Sequence, residues 1–242
     1  MDFNGWLKRG VTNGWAGIGA SPYGQSIMPF VQDSMNAWSS NIANQMANFR
    51  YGYWPKVWWV PERLWVSGLV YPNGSVISND VAVANQLKNH GASAIILDDD
   101  PACRGYDNHQ IHTLSNGTGM RVVPRDANYT GLLHSGNGAG ALAVLQGLAS
   151  GSTGPYRIVV YADDWEMAAS LGEWKSSMPS AKETYDWMIN KCQSENAWLH
   201  TWDLAAALSN ANFNGVAAMN PTFGTYGSIG GTDGYGGNNN SW

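Results

Sequence analysis

Hydrophobic positions along the chain gather into five short runs, separated by longer segments in which apolar and polar residues alternate at helical spacing. Short, continuous runs of β-branched and aromatic residues are typical of strands buried on both faces of a sheet. The runs cover residues 57–61, 94–97, 120–123, 157–161 and 197–201. We therefore expect five buried strands.

Helix-like segments occupy residues 33–49, 79–90, 138–149 and 180–193. Strands that alternate with helices indicate parallel strands joined by crossover helices, in an α/β sheet or barrel. A closed barrel of this type needs about eight strands and about 250 residues. Residues 1–50 show no clear strand, so the prediction is an incomplete α/β barrel over residues 1–220. Residues 221–242 are rich in Gly, Asn and Ser and are predicted to form a loosely ordered tail.

The composition and the motifs of the chain argue against several classes of function. The hydrophobic share of 44% is enough to form a core, whereas only 13% of the residues are charged and the net charge is −5. Basic residues are not clustered, which argues against a nucleic-acid partner. No 18-residue apolar stretch predicts a membrane span, and the start of the chain does not resemble a signal peptide, so a cytoplasmic location is the default expectation. Phosphate-loop, dinucleotide and catalytic-serine motifs are absent from the sequence, and no cofactor is predicted.

Carboxylates follow two of the predicted strands directly. Glu62, next to Arg63, comes after the first strand, and Asp163, Asp164 and Glu166 come after the fourth. Ligands of parallel α/β folds bind where the strands end, and paired carboxylates are the equipment of glycosidic-bond cleavage. The alternatives are a helix cap at Glu62 and a solvated strand end after residue 161.

Other polar residues and an excess of tryptophan accompany these carboxylates. The chain has 13 Trp, and those beside the acids are interpreted as sugar-stacking walls or, alternatively, as core: Trp58, Trp59, Trp65 and Trp165. Asp99 follows the second strand. His200, near the end of the fifth, is predicted to contact substrate or, alternatively, to be a hydrogen-bonded histidine of the core. Arg125 and Asp126 are predicted to form an ion pair. The two cysteines, Cys103 and Cys192, are interpreted as buried thiols.

The motif VWWVPERLW at residues 57–65 and the motif VVYADDWEMA at residues 159–168 resemble the two catalytic segments of family 57 of the glycoside hydrolases. The segments ILDDDPACRGYDN and MRVVPRDAN, together with GASPYGQSIMPF at residues 19–30, resemble other strand-end segments of that family in the same order. The resemblance implies an incomplete (β/α)7-type barrel that acts on α-glucans. It also implies that Glu62 is the nucleophile and Asp164 the acid/base, with Glu166 as the trailing acid and Asp163 as the competing acid/base. Arg63, Asp99 and the neighbouring tryptophans are expected to shape the subsite.

Two departures from the family pattern affect what the resemblance implies. The family's first strand carries a His-x-Pro-like motif, and nothing before Gly10 matches it. Where many members have a histidine in the second segment, this chain has Gln25. We therefore expect a chain that lacks the first strand or strands of the barrel.

Two alternative functions remain open at this stage. One is a non-catalytic carbohydrate-binding or assembly protein that uses an open barrel edge to bind a protein partner or a second copy. The other is a metal-dependent deacetylase-like enzyme, suggested by Asp98 and Asp99 with His109 and His112, although a loop-anchoring polar cluster explains the same residues.

Overall fold

The computed structural model describes residues 2–24, 26, 28–61, 65, 79–100, 102–151, 156–162, 181–213 and 218–221. Several predictions concern residues outside this set: Glu62, Arg63, Asp164, Trp165 and the tail from residue 222. Among the described helices, none combines the length and the apolar character needed to cross a lipid bilayer.

The described strands form one mixed sheet. They are β1 (Val57–Trp59), β2 (Ala94–Asp98), β3 (His112–Leu114), β4 (Arg121–Arg125) and β5 (Ala218–Met219), in the spatial order β1-β2-β4-β3-β5. β1, β2 and β4 are parallel, while β3 runs antiparallel to β4 and parallel to β5. Three of the five predicted strands are therefore confirmed, and β3 and β5 were not predicted.

The other two predicted strands are wrong as strands. Residues 157–161 run beside the end of β4, where the Asp126 N–H donates to Val160 O at 3.0 Å, but they form no regular ladder. Residues 197–201 continue a turn at the end of a helix, with the Trp198 N–H donating to Glu195 O. The apolar side chains of 197–201 pack against neighbouring helices, and those of 157–161 pack partly against helices and partly against the sheet, which explains their hydrophobicity without a strand.

All four predicted helical segments are confirmed, whereas three more of the described helices were not predicted with bounds. Those described are α1 (Phe3–Asn13), α2 (Asp33–Tyr51), α3 (Asp80–Asn89), α4 (Ala127–His134), α5 (Gly138–Ser150), α6 (Ala181–Ser194) and α7 (Leu204–Ala207). Short polar side chains begin several of them by accepting an otherwise unpaired backbone N–H. Asp2 accepts from Gly5, Asp126 from Tyr129 and Asn137 from Gly140.

Helices pack against both faces of the sheet, because alternate strand residues point to opposite faces. Trp58 and Ile95 on one face pack in a buried cluster with Leu87 of α3. Val57 and Ala94 point to the other face and share a second cluster with α7 and the turn that follows it. The main core therefore lies between the parallel strands and the helices that connect them.

The direction of the chain defines the two edges of the sheet. Ala20 forms a parallel bridge with Trp58, so the chain leaves Ala20 toward the edge at which β1 ends. α2 begins after that loop, and its last residue, Tyr51, precedes the start of β1. The first turns of α2 therefore lie near the carboxyl ends of the parallel strands, and we call this edge the site edge.

Candidate active site

A buried ion pair joins the ends of β2 and β4 at the site edge. Asp98 and Arg125 occupy opposite positions in the parallel register, and Arg125 Nη1 lies 3.0 Å from Asp98 Oδ1. Arg125 Nε also donates to the carbonyl oxygen of Ala162 at 3.0 Å. One guanidinium thus holds together the ends of two strands and the segment that leads to Asp163. The predicted pairing of Arg125 with Asp126 is wrong, because Asp98 faces Arg125 across the register.

Asp99 lies one residue beyond that pair and is half-buried. Its Oδ2 accepts from the Ala127 N–H at 3.0 Å, and its Oδ1 accepts from the Asp100 N–H at 2.9 Å. Burial raises the pKa of Asp99, and the charges of Asp98 and Asp126 raise it further, although the two N–H groups act against them. A carboxyl group in this position takes up a proton more readily than an exposed aspartate does, so it can donate as well as accept a hydrogen bond.

A second polar pair lies beside the first. His109 Nε2 is 2.8 Å from Asp126 Oδ2, and the Asp126 side chain is almost completely buried. Burial acts to raise the pKa of Asp126, but the hydrogen bonds from His109 and from the Tyr129 N–H outweigh it and lower the pKa. Asp126 therefore stays ionised, begins α4 and orients the His109 ring at the same time.

Asp107 extends this network to the following segment. Its Oδ1 lies 2.6 Å from Arg157 Nη2 and also accepts from the His109 N–H. Burial acts against ionisation, but these donors lower the pKa of Asp107 overall. The Ile158 N–H donates to His109 O at 3.1 Å. Residues 156–162 are thus fastened at several points before the chain reaches Asp163.

The structure does not assemble the metal site that one alternative required. Asp98 pairs with Arg125, His109 pairs with Asp126, and His112 Nε2 lies 2.6 Å from the carbonyl oxygen of Asp107. Across the described part of the chain, no group of three or more His, Cys, Asp or Glu side chains is placed to hold a metal ion. The polar cluster instead anchors loops, as the competing interpretation predicted.

The tryptophans near Glu62 are placed unequally. Trp58 and Trp65 have no exposed surface and belong to the hydrophobic core cluster, which argues against the sugar-stacking role predicted for them. Trp59 points to the other face of β1 and is partly exposed. A ring that stacks on a sugar needs an accessible face, so Trp59 alone of these three suits that role.

His200 is not brought to the polar cluster by the described contacts. It is exposed and lies just before Asp203, which caps α7. A methyl group on Gly17 would lie 2.6 Å from Asp203 Oδ2, so these two residues are in contact. Gly17 precedes Ala20, and this part of the chain therefore lies toward the edge where the strands begin. The position argues against the predicted substrate contact of His200.

The pairing of His109 with Asp126 is the feature that sequence reasoning missed. Asp126 lies three residues before Tyr129 at a strand end, and that spacing signals a helix N-cap. A capping aspartate has a fixed position and a free second oxygen, so a nearby histidine is a natural partner. The proposed catalytic residues Glu62 and Asp164, with Arg63 and Trp165, lie outside the described residues.

Comparison with known protein families gives one match over slightly more than half of the chain. The model of glycosyl hydrolase family 57 matches residues 6–133. Comparison with curated protein sequences finds no match.

Solved structures similar to this chain support the same fold. A branching enzyme of family 57 from Thermococcus kodakaraensis has a TM-score of 0.70 at 12% identity, over 92% of this chain and 52% of that protein. A second such branching enzyme, from Pyrococcus horikoshii, has a TM-score of 0.70 at 14% identity, over 93% of this chain and 51% of that protein. A 4-α-glucanotransferase from Thermococcus litoralis has a TM-score of 0.59 at 16% identity, over 85% of this chain and 29% of that protein.

These likenesses confirm the predicted fold class, a partial parallel barrel of the (β/α)7 type. The chain spans about half the length of the two branching enzymes.

Proposed function

Since this chain belongs to glycosyl hydrolase family 57, we propose that it acts on α-glucans as a retaining glycoside hydrolase or transglycosylase. The observation that carries the proposal is the contact of Arg125 with both Asp98 and the Ala162 carbonyl. It places the segment that precedes Asp163 and Asp164 at the site edge, where β1 also ends, three residues before Glu62. In the sequence, Glu62 follows β1 and Asp164 follows the segment that Arg125 holds, and glycosidic-bond cleavage uses two carboxylates on one substrate bond.

In the proposed reaction, Glu62 attacks the anomeric carbon and forms a glycosyl-enzyme, while Asp164 protonates the departing glycosidic oxygen. Asp164 then removes a proton from water or from the hydroxyl of an acceptor sugar, which releases the sugar with its anomeric configuration retained. Arg63 keeps Glu62 ionised, and Trp59 and Trp165 stack on sugar rings. Asp99, whose pKa is raised by burial, bonds a sugar hydroxyl.

The similar structures support transfer as well as hydrolysis, since two are branching enzymes and one is a 4-α-glucanotransferase. The two outcomes differ in what accepts the glucosyl group. Hydrolysis creates a new reducing end at each cleavage, whereas transfer redistributes chain lengths at a constant number of reducing ends. Incubation with maltoheptaose, followed by chromatography of the products and a reducing-end assay, distinguishes them.

Substitution of the two carboxylates tests the mechanism. Glu62→Gln and Asp164→Asn should each abolish turnover of maltoheptaose. Azide should restore turnover by Glu62→Ala, because a small nucleophile fits the space of the lost carboxylate. The product should be a glycosyl azide with inverted anomeric configuration. Asp100→Asn is the matched control, since Asp100 lies at the same edge but is exposed and, within the described residues, is paired with Arg104 alone.

Full activity of Glu62→Gln would exclude Glu62 as the nucleophile. A wild-type chain that leaves maltoheptaose and amylose unchanged, while folded by circular dichroism, would refute the proposed activity for this chain.

A further inference from the structure

A shallow pocket lies where α2 begins. Its cavity volume is about 330 Å³. This volume is near the lower end of the range for small-molecule sites, about 300–1,000 Å³, and suits one sugar ring rather than a long ligand. The pocket is lined by Gly24, Ser26, Ser34, Met35, Trp38 and Ser39.

The chemistry of the lining is that of a neutral, amphiphilic ligand. Trp38 and Met35 supply apolar surface. Ser26 and Ser34 supply hydroxyl groups that donate and accept hydrogen bonds, whereas Ser39 is buried and shapes the wall. Among the described residues, no charged side chain lines the pocket. Sugars match this combination because a pyranose ring has an apolar C–H face and hydroxyl groups around its rim.

Trp38 is an unusual residue for an exposed helix face. Its side chain is 61% exposed, and that of the neighbouring Tyr23 is 57% exposed. The two rings meet edge to face, with centroids 6.3 Å apart and planes 86° apart. The Tyr23 ring thus supports one edge of the indole, while the rest of the Trp38 surface stays open to a ligand. Tryptophan in such a position contributes large contact area with few rotatable bonds.

The loop beside the pocket is fastened to α2 in advance of binding. The Tyr23 N–H donates to Ser39 O at 3.3 Å, and the Gly24 N–H donates to Ser39 Oγ at 2.8 Å. Further along the same loop, the carbonyl oxygen of Met28 accepts a hydrogen bond from Nδ2 of buried Asn36 at 2.7 Å. A site whose walls are already held in place loses little conformational entropy when a ligand binds.

The pocket also lies at the site edge. Ala20 bridges to Trp58 of β1, and Tyr23 and Gly24 follow Ala20 within a few residues. The pocket and the end of β1 therefore belong to neighbouring chain segments that leave the sheet in the same direction.

We propose that this pocket binds one glucose unit of an α-glucan chain, with Trp38 stacked on the sugar ring and the hydroxyls of Ser26 and Ser34 bonded to its rim. This inference rests on the proposed function for the identity of the ligand. The pocket holds the glucan away from the bond that is cleaved, so it contributes to binding equally in the ground state and the transition state. Loss of such uniform binding raises KM and leaves kcat unchanged.

Affinity electrophoresis of the full chain in gels that contain soluble starch, together with calorimetric titration of maltoheptaose, tests the inference. Trp38→Ala should weaken both interactions by about tenfold or more, as expected for removal of a central aromatic contact. Trp38→Phe should restore part of the affinity. Trp54→Ala is the matched control, because Trp54 is also an exposed tryptophan, at 48%, but lies between the end of α2 and the start of β1.

The outcomes separate this inference from the proposed reaction. Binding that is unchanged in Trp38→Ala, or lost equally in Trp54→Ala, would overturn the pocket as a glucose site, whether or not the chain is active. A wild-type chain that binds glucan through Trp38 but does not cleave it would retain the site and refute the reaction. Melting curves of each variant show whether lost binding reflects lost folding, and a Trp38→Phe variant that folds but binds no better than Trp38→Ala would also count against stacking.

Discussion

Substitution of Asp126 offers the sharpest test of how the site edge is held together. Its side chain is almost completely buried and performs two tasks through different oxygens. Oδ1 accepts from the Tyr129 N–H at 2.8 Å and begins α4, and Oδ2 lies 2.8 Å from His109 Nε2. Asp126→Ala removes both interactions. Asp126→Asn preserves a capping oxygen but removes the charge.

The expected magnitudes follow from these contacts. Loss of an N-cap side chain costs about 1 kcal/mol, and loss of a hydrogen bond to a charged group costs about 1.5–3 kcal/mol. Asp126→Ala should therefore lower the free energy of unfolding by about 3 kcal/mol. For a chain of this length the melting temperature should fall by about 6–12 °C. Asp126→Asn keeps the helix cap, so its free energy of unfolding should fall by about 1 kcal/mol less than that of Asp126→Ala.

The pH dependence has a defined sign. Because the pKa of Asp126 is lower in the folded state than in the unfolded state, its ionised form stabilises the fold above the unfolded pKa of about 3.9. That contribution is lost as the pH falls through the folded pKa. Asp126→Asn should therefore destabilise the protein at pH 7 and make progressively less difference below about pH 4.

Urea denaturation at pH 7 and at several pH values below 5, followed by circular dichroism, measures these differences. His109→Ala and the double variant complete a mutant cycle for the His109–Asp126 pair. Equal stabilities of wild type and Asp126→Ala within about 0.5 kcal/mol would refute the reasoning. A cycle without coupling would show that the cap alone accounts for the loss.

The remaining predictions concern α5 and the two thiols. Gly147→Ala should stabilise the protein by about 0.5–1 kcal/mol, because Gly147 lies in an exposed helix interior with open space around its Cα, and a lower melting temperature would contradict this. Gly138→Ala in the same helix should instead destabilise by about 1–3 kcal/mol, since the new methyl group would lie 2.4 Å from Trp187 Nε1. Cys103 is 1% exposed and burial raises the pKa of its thiol. Ellman's reagent should therefore label the half-buried Cys192 first and Cys103 only on unfolding. Rapid labelling of both thiols in the native state would contradict the burial of Cys103.

Hydrophobic pattern predicted the parallel part of the fold well, for a physical reason. β1, β2 and β4 are buried on both faces, and such strands must be continuous apolar runs. β3 and β5 escaped detection because they are three and two residues long, too short for any period to show. The run at 197–201 was wrongly predicted as a strand, because Trp198 and Leu199 pack in a cluster of helical residues. Hydrophobicity alone does not distinguish a strand from a turn packed against helices.

The sequence predicted at which edge of the sheet the site lies, but not which side chains there pair with one another. The rule that ligands bind where parallel strands end placed Asp98, Asp99 and Arg125 together. It does not say which charge pairs with which, because that depends on register. Arg125 lies directly across from Asp98, whereas Asp126 points away to cap α4. Trp38 was missed because a single tryptophan in a helix shows no periodicity that would mark it as exposed.

The short pairing of β3 with β5 has a consequence for the order in which the protein folds. Thr113 pairs with Ala218, and Leu114 pairs with Met219, so the whole chain from 115 to 217 must be spanned to form two rungs of a ladder. The pairs of β1 with β2 and of β2 with β4 join residues that are much closer along the chain, such as Val57 with Ala94 and Ala94 with Arg121, and so they close much shorter loops. A long loop costs more entropy to close, and the two residue pairs formed here offset little of that cost. We therefore expect β5 to join the sheet last. The amide hydrogens of residues 218–220 should accordingly exchange with solvent long before those of β2.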